Sequence, residues 1–123
     1  MTKVSIISIV DDDQSVRESL HGLLRSVGFS VQVFVSAEEF LKSGHLDKTD
    51  CLILDVRMPG ITGLELQRQL RAQGCQIPII FISAHADEET RSQAFGGGAV
   101  AFLIKPLNEE MVLTALKTAR PGT

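Results

Sequence analysis

The sequence predicts an α/β fold: one parallel sheet of five strands with helices on both faces. Three observations carry this expectation. Five short apolar runs recur along the 123 residues, and each is followed by a segment with helical spacing of its apolar residues. Glycine or proline punctuates most junctions between them. The third run, Cys51-Leu52-Ile53-Leu54, is apolar throughout, as a strand buried on both faces requires. Strands that alternate with helices imply parallel pairing through right-handed crossovers.

The elements follow in order. Val4 to Val10 is mostly β-branched and reads as the first strand. It runs into Asp11-Asp12-Asp13, of which Asp13 suits a helix N-cap. Val16, Leu20, Leu23, Leu24 and Val27 then mark one face of a helix that Gly28 ends. Phe29 to Val35 is a second strand. Ser36-Ala37-Glu38-Glu39 reads as a capping box that opens a short helix with Phe40 and Leu41 inward. Ser43 to Asp50 reads as polar loop. After the third strand, Pro59 and Gly60 break the chain, and Thr62-Gly63-Leu64-Glu65 forms a second capping box for a helix that lasts until Gly74. Pro78 introduces the fourth strand, Ile79 to Ile82, which ends at Ser83. Asp87 can cap a fourth helix through about Phe95, and its scarcity of large apolar residues predicts the weakest anchoring of the five. Gly96-Gly97-Gly98 precedes the fifth strand, Ala99 to Ile104, followed at once by Lys105-Pro106. Asn108 can cap a last helix carrying Met111, Val112, Ala115, Leu116 and Ala119. One domain over residues 1–119 is expected, with Arg120-Pro121-Gly122-Thr123 as a helix stop and the start of a linker.

Composition narrows the function. A net charge of −3 offers no basic field for direct nucleic-acid binding. The apolar runs are of strand length, too short to span a membrane. Met1 to Ser5 lead straight into a strand pattern without a signal-peptide core, so a cytoplasmic location is expected. Cys51 and Cys75 have no metal-binding spacing and read as free thiols.

In a parallel sheet all strand carboxyl ends share one edge, where such folds form their ligand crevices. That edge would collect Asp11 and Asp12 from the first strand, Asp55 from the third, Ser83 from the fourth and Lys105 from the fifth. Topology places them on one edge; it does not give their distances. Three carboxylates repel, and Mg²⁺, which takes one or two carboxylates with waters and phosphate oxygens, is the expected remedy. Lys105 is a mobile point charge and Ser83 a hydroxyl donor, both suited to a phosphoryl oxygen. An aspartate can itself be the phosphorylated nucleophile. These parts point to phosphoryl transfer.

Four motifs, in order and in spacing over the whole chain, then resemble the receiver domains of two-component response regulators: Ile9-Val10-Asp11-Asp12-Asp13, Leu54-Asp55-Val56-Arg57-Met58-Pro59-Gly60-Ile61-Thr62-Gly63, Ile82-Ser83-Ala84-His85 and Phe102-Leu103-Ile104-Lys105-Pro106. The wording is most similar to the FixJ-like group, which carries a LuxR-type output domain. The resemblance implies a flavodoxin-like (βα)5 fold, doubly wound, with strand order 2-1-3-4-5. It implies Asp55 as phosphoacceptor, Asp12 as a direct Mg²⁺ ligand with Asp11 acting through water, and the Arg57 backbone carbonyl completing the protein's share of the shell. It further implies Ser83 and Phe102 as switch residues, Lys105 as the phosphate contact, and a cis Lys105-Pro106 bond. The implied partners are a sensor histidine kinase and a second copy, met through the fourth helix, fifth strand and fifth helix. DNA would be reached only through an output domain.

Leu107 stands where this group often has Phe, and the Gly96–Gly98 run is unusually rich in glycine; both flank the region expected to move. Two other readings compete. A stand-alone receiver would act by protein contact alone. A phosphatase using Asp11 as nucleophile would use Asp11-Asp12-Asp13 as a D-x-D motif, as haloacid-dehalogenase-type hydrolases do, but it leaves the surroundings of Asp55 unexplained. His85 reads as a solvated loop histidine beside Ser83. The glycines before the fifth strand do not form a dinucleotide site, because they precede a strand instead of following one.

Overall fold

Alternation of strand and helix holds throughout residues 4–119, which a computed structural model of the chain describes. The linker expected at Arg120–Thr123 lies outside the described residues. The elements are β1 (Ile6–Val10), α1 (Gln14–Ser26), β2 (Ser30–Phe34), α2 (Ala37–Ser43), β3 (Cys51–Asp55), α3 (Gly63–Ala72), β4 (Ile79–Ser83), α4 (Glu88–Gly96), β5 (Ala101–Ile104) and α5 (Glu109–Ala119). All strand pairings are parallel, in the order β2-β1-β3-β4-β5.

The sheet separates two apolar layers. Ile7, Ile9, Ile53, Ile80 and Ile82 face α1 and α5, where they meet Leu20, Leu24, Val112 and Leu116. Val10, Leu52, Leu54, Ile79 and Phe81 face the other way, onto Phe40 of α2, Leu66 and Leu70 of α3, and Ala94 of α4. Every residue of β3 and of β4 is buried, because both strands are covered on both faces.

Local chemistry sets most of the boundaries. The Asp13 side chain accepts from the Ser15 and Val16 N–H groups and caps α1. Gly28, with φ +99°, follows the last turn as a left-handed C-terminal residue should. Thr62 and Glu65 form the full reciprocal capping box of α3. Asn108 Oδ1 accepts from the Met111 N–H at 2.8 Å.

Several expectations need correction. Ser36 caps α2 through the Glu39 N–H, but the Glu39 carboxylate accepts from Val35 rather than from Ser36, so this box is only half made. A 3-10 turn at Leu46–Lys48 interrupts the supposed loop, closed by Thr49 N–H to the Leu46 carbonyl. β1, β2 and β5 are each shorter than the apolar runs that signalled them. Ala99 lies in the turn after α4 instead of in β5, its N–H donating to the Ala94 carbonyl.

Candidate functional site

Strand register assembles the site. Val10 pairs with Leu54, so Asp11 and Asp55 leave the sheet side by side. Asp55 pairs with Ile82, and Ser83 with Ile104, which brings Ser83 and then Lys105 to the same edge. The Lys105 N–H donates to the Ser83 carbonyl at 2.8 Å, and the Lys105–Pro106 peptide is cis.

Asp11 is fully buried. Its Oδ1 accepts from the Asp13 N–H at 2.8 Å, and its carbonyl accepts from Arg17 Nη1 at 2.8 Å. Its Oδ2 lies 3.0 Å from Lys105 Nζ, and the same ammonium stands 3.5 Å from Asp55 Oδ1. The approach to Oδ2 is a charge contact, not an aligned hydrogen bond, and that oxygen has no hydrogen-bond partner among the described residues. Asp12 is exposed at the mouth. Each of Asp11, Asp12 and Asp55 brings one carboxylate oxygen within 4.8 Å of the others.

Electrostatics follow from this crowding. Burial pushes the Asp55 carboxyl up to about 7; the charge of Asp11 adds to this, Lys105 opposes it, and Asp12 adds again. Burial alone would lower the pKa of Lys105, but the carboxylates of Asp11 and Asp55 outweigh it and the pKa is raised. A single lysine cannot neutralise three carboxylates. The buried, undonated Asp11 Oδ2, the exposed Asp12 and the charge-strained Asp55 form an all-oxygen donor set that fits a hard divalent cation such as Mg²⁺.

The other residues anticipated from sequence occupy distinct places. Ser83 is 2% exposed, and its hydroxyl donates to the His85 carbonyl while accepting from the His85 N–H, both at 3.1 Å. His85 itself is exposed on the loop. Phe102 is packed inward against Phe81, ring centroids 6.4 Å apart. Arg57 lies two residues past Asp55, with an exposed guanidinium 3.9 Å from Asp87, the cap of α4. Cys51 and Cys75 are free thiols.

Features not read from sequence also shape the site. Gly63 is required because a Cβ there would collide with the Asp55 carbonyl, so α3 starts against the backbone of the acidic strand. Arg17 reaches back across one helical turn to Asp11; its i+4 spacing from Asp13 hinted at reach, not at a target. Glu38 of α2 accepts from the Ile61 N–H in the loop after Asp55. That contact spans 23 residues and had no local signal.

Comparisons agree with this geometry. The response regulator receiver domain family matches residues 7–117. Response regulator protein TodT of Pseudomonas putida is 50% identical over 117 residues, covering 95% of this chain and 52% of TodT. The chain thus spans about half the length of the curated relatives it matches. The solved structure of response regulator StyR superposes with a TM-score of 0.87 at 45% identity, over 95% of this chain and 59% of that one. The FixJ-N structure gives 0.84 at 35% identity, over 96% and 94%. With the family matched from β1 into α5 and relatives at this level of identity, the chain belongs to the response regulator receiver domains of two-component systems.

Proposed function

We propose that Asp55 accepts a phosphoryl group from the phosphohistidine of a sensor histidine kinase, and that the receiver passes this change to a transcriptional output domain. The observation that carries the reading is the contact of one ammonium, Lys105, with both Asp11 and Asp55 beside the exposed Asp12. In the step itself a carboxylate oxygen of Asp55 forms the new O–P bond. The P–N bond to the donor imidazole breaks, and the imidazole nitrogen keeps the electron pair. A Mg²⁺ held by Asp12, Asp55 and the Arg57 carbonyl, with Asp11 through water, would supply the positive charge that lets carboxylates and phosphoryl oxygens share the pocket. Lys105 is placed to take one of those oxygens. Ser83 can take another once its hydroxyl leaves the His85 backbone.

Transmission follows from what α4 lacks. Only Ala94 of α4 is buried, while Phe95 is 40% exposed. The α4, β5 and α5 face is therefore the proposed surface for a second copy, and Phe102 the switch aromatic beneath it. Relatives of about twice this length, among them transcriptional regulatory proteins FixJ and TdiR, favour a longer regulator over a stand-alone receiver. A LuxR-type output domain after residues 1–119 would make the DNA contact. No helix among the described residues is long and apolar enough to cross a membrane, and the proposed donor places the reaction in the cytoplasm. The phosphatase reading is disfavoured because Asp11 is buried against Lys105 and Asp13 is occupied in capping α1.

A phosphoramidate labelling experiment tests this on the wild type and on Asp55→Asn, with Mg²⁺ or with EDTA. Labelling is expected only for the wild type with Mg²⁺. Equal labelling of the asparagine variant would overturn the assignment of Asp55.

A further inference from the structure

We propose that Glu38 is a positioning residue for the acidic pocket. It sets the Gly60–Ile61 turn, and through that turn the Arg57 carbonyl; the inference rests on the phosphoacceptor reading above. Three observations point the same way. Glu38 Oε2 accepts from the Ile61 N–H at 3.4 Å, tying α2 to the loop that joins Asp55 to α3. Gly60 has φ +77°, and a Cβ there would fall on Glu38 Oε2 and crowd its Cδ at 3.1 Å. The turn therefore keeps a glycine over a carboxylate. Glu38 Oε1 is buried with no hydrogen-bond partner among the described residues.

That last oxygen argues against a purely structural role. A buried, unpartnered acceptor weakens the fold, and an apolar side chain of the same length would fill the place more favourably. The loop is already fixed at both ends. The Val56 N–H donates to Ile82, and Gly63 packs on the Asp55 carbonyl. Between them lie the six residues Arg57 to Thr62, and the Glu38 contact at Gly60 and Ile61 falls in the second half of this span. A turn held there restrains the direction of the Arg57 carbonyl, as partners behind the ligands orient the ligands of metal sites generally.

The test is calorimetric titration of the chain with Mg²⁺ alone, on the wild type, E38M, E38D and E38Q. E38M fills the space but cannot accept a hydrogen bond. E38D keeps the charge but falls one methylene short of Ile61. Both are expected to raise the Mg²⁺ dissociation constant about tenfold, the lower end of what losing an outer partner does to a metal site. E38Q, whose amide oxygen can still accept, is expected within about twofold of the wild type on the same grounds. E38M should unfold at the same temperature as the wild type or higher without metal, and label on Asp55 normally at saturating Mg²⁺. Wild-type Mg²⁺ affinity in E38M and E38D would overturn the proposal. So would a drop in unfolding temperature shared by E38M and E38Q, which would make Glu38 structural. If Asp55→Asn labels as well as the wild type, the phosphoacceptor reading fails, whereas the Mg²⁺ titration still reports on Glu38.

Discussion

Asp55 carries a conflict that one side chain cannot resolve. Burial first, and the Asp11 charge second, push its carboxyl from 3.8 up to about 7. The folded chain therefore binds more protons than the unfolded chain between those values, and this residue's contribution to stability falls as pH rises through that window. Above pH 7 or so the full cost of the buried charge is present in the metal-free protein. Asp55→Asn removes that charge at nearly constant shape. It is expected to be more stable than the wild type by about 1–3 kcal/mol at pH 8 in EDTA, and no more stable at pH 4. Mg²⁺ should close the gap, since a cation bound by the native state stabilises it by mass action, and its affinity should weaken as pH falls below about 7 because it competes with the proton. Urea unfolding of the two proteins at both pH values, with and without Mg²⁺, checks this. Equal stability at pH 8 in EDTA would contradict the electrostatic account.

At the scale of elements, α4 shows what the sequence disclosed and what it withheld. Its poverty in large apolar residues was legible, and the helix indeed buries only Ala94. Its second anchor was not legible. Gln67 of α3, 2% exposed, donates to the Ala94 carbonyl at 2.9 Å. Arg71, one turn on, donates to the carbonyls of Gly97 and Gly98, and to those of Cys75 and Ile77 before β4. Gly97 must lack a Cβ because one would sit 2.6 Å from the Gln67 amide, and Gly98 takes φ +91°. The glycine run that looked like excess flexibility is therefore fitted to this clip. Gln67 and Arg71 share a helix face by their spacing, but a polar face reads as solvated until its tertiary partner is known. Asp11, Asp12, Asp55, Ser83 and Lys105 were legible because each ends an apolar strand, a purely local signal. Glu38, Gln67 and Arg71 act on chain more than twenty residues away. Gln67→Ala is expected to lower stability by about 1–2 kcal/mol, since it removes one buried hydrogen bond while the Ala94 carbonyl keeps the Gly97 and Ala99 N–H donors, and Arg71→Ala by about 2–4 kcal/mol, since it takes the side-chain donor from four carbonyls at once. Urea unfolding measures both, and a loss below about half a kcal/mol for Arg71→Ala, the ordinary scatter of surface substitutions, would mean that water replaces the clip.

Across the whole molecule, the sheet edge and α4 form one mechanical path with unequal ends. The C-terminal end of α4 is held by Gln67 and Arg71. Its N-terminal end is held across the loop by Arg57 and Asp87, an exposed pair at 3.9 Å, a kind of contact worth less than about 1 kcal/mol. Ser83 links that loop to the pocket through its two hydrogen bonds to His85. On the proposed reading, a phosphoryl group on Asp55 would compete for the Ser83 hydroxyl, and the His85 N–H would then lose its acceptor. The resulting motion should be a pivot, large at residues 84–90 and small at residues 94–98. Hydrogen exchange with Mg²⁺ and beryllium fluoride, a phosphoryl mimic, makes the expectation concrete. The His85 and Glu89 amides should change protection, while those of Gly97, Gly98 and Ala99, which donate to the carbonyls of Gln93, Phe95 and Ala94 in that order, should not. In Gln67→Ala the change should spread to the C-terminal end, because the pivot is loosened. A uniform change along α4 in the wild type, or one confined to its C-terminal end, would refute the pivot.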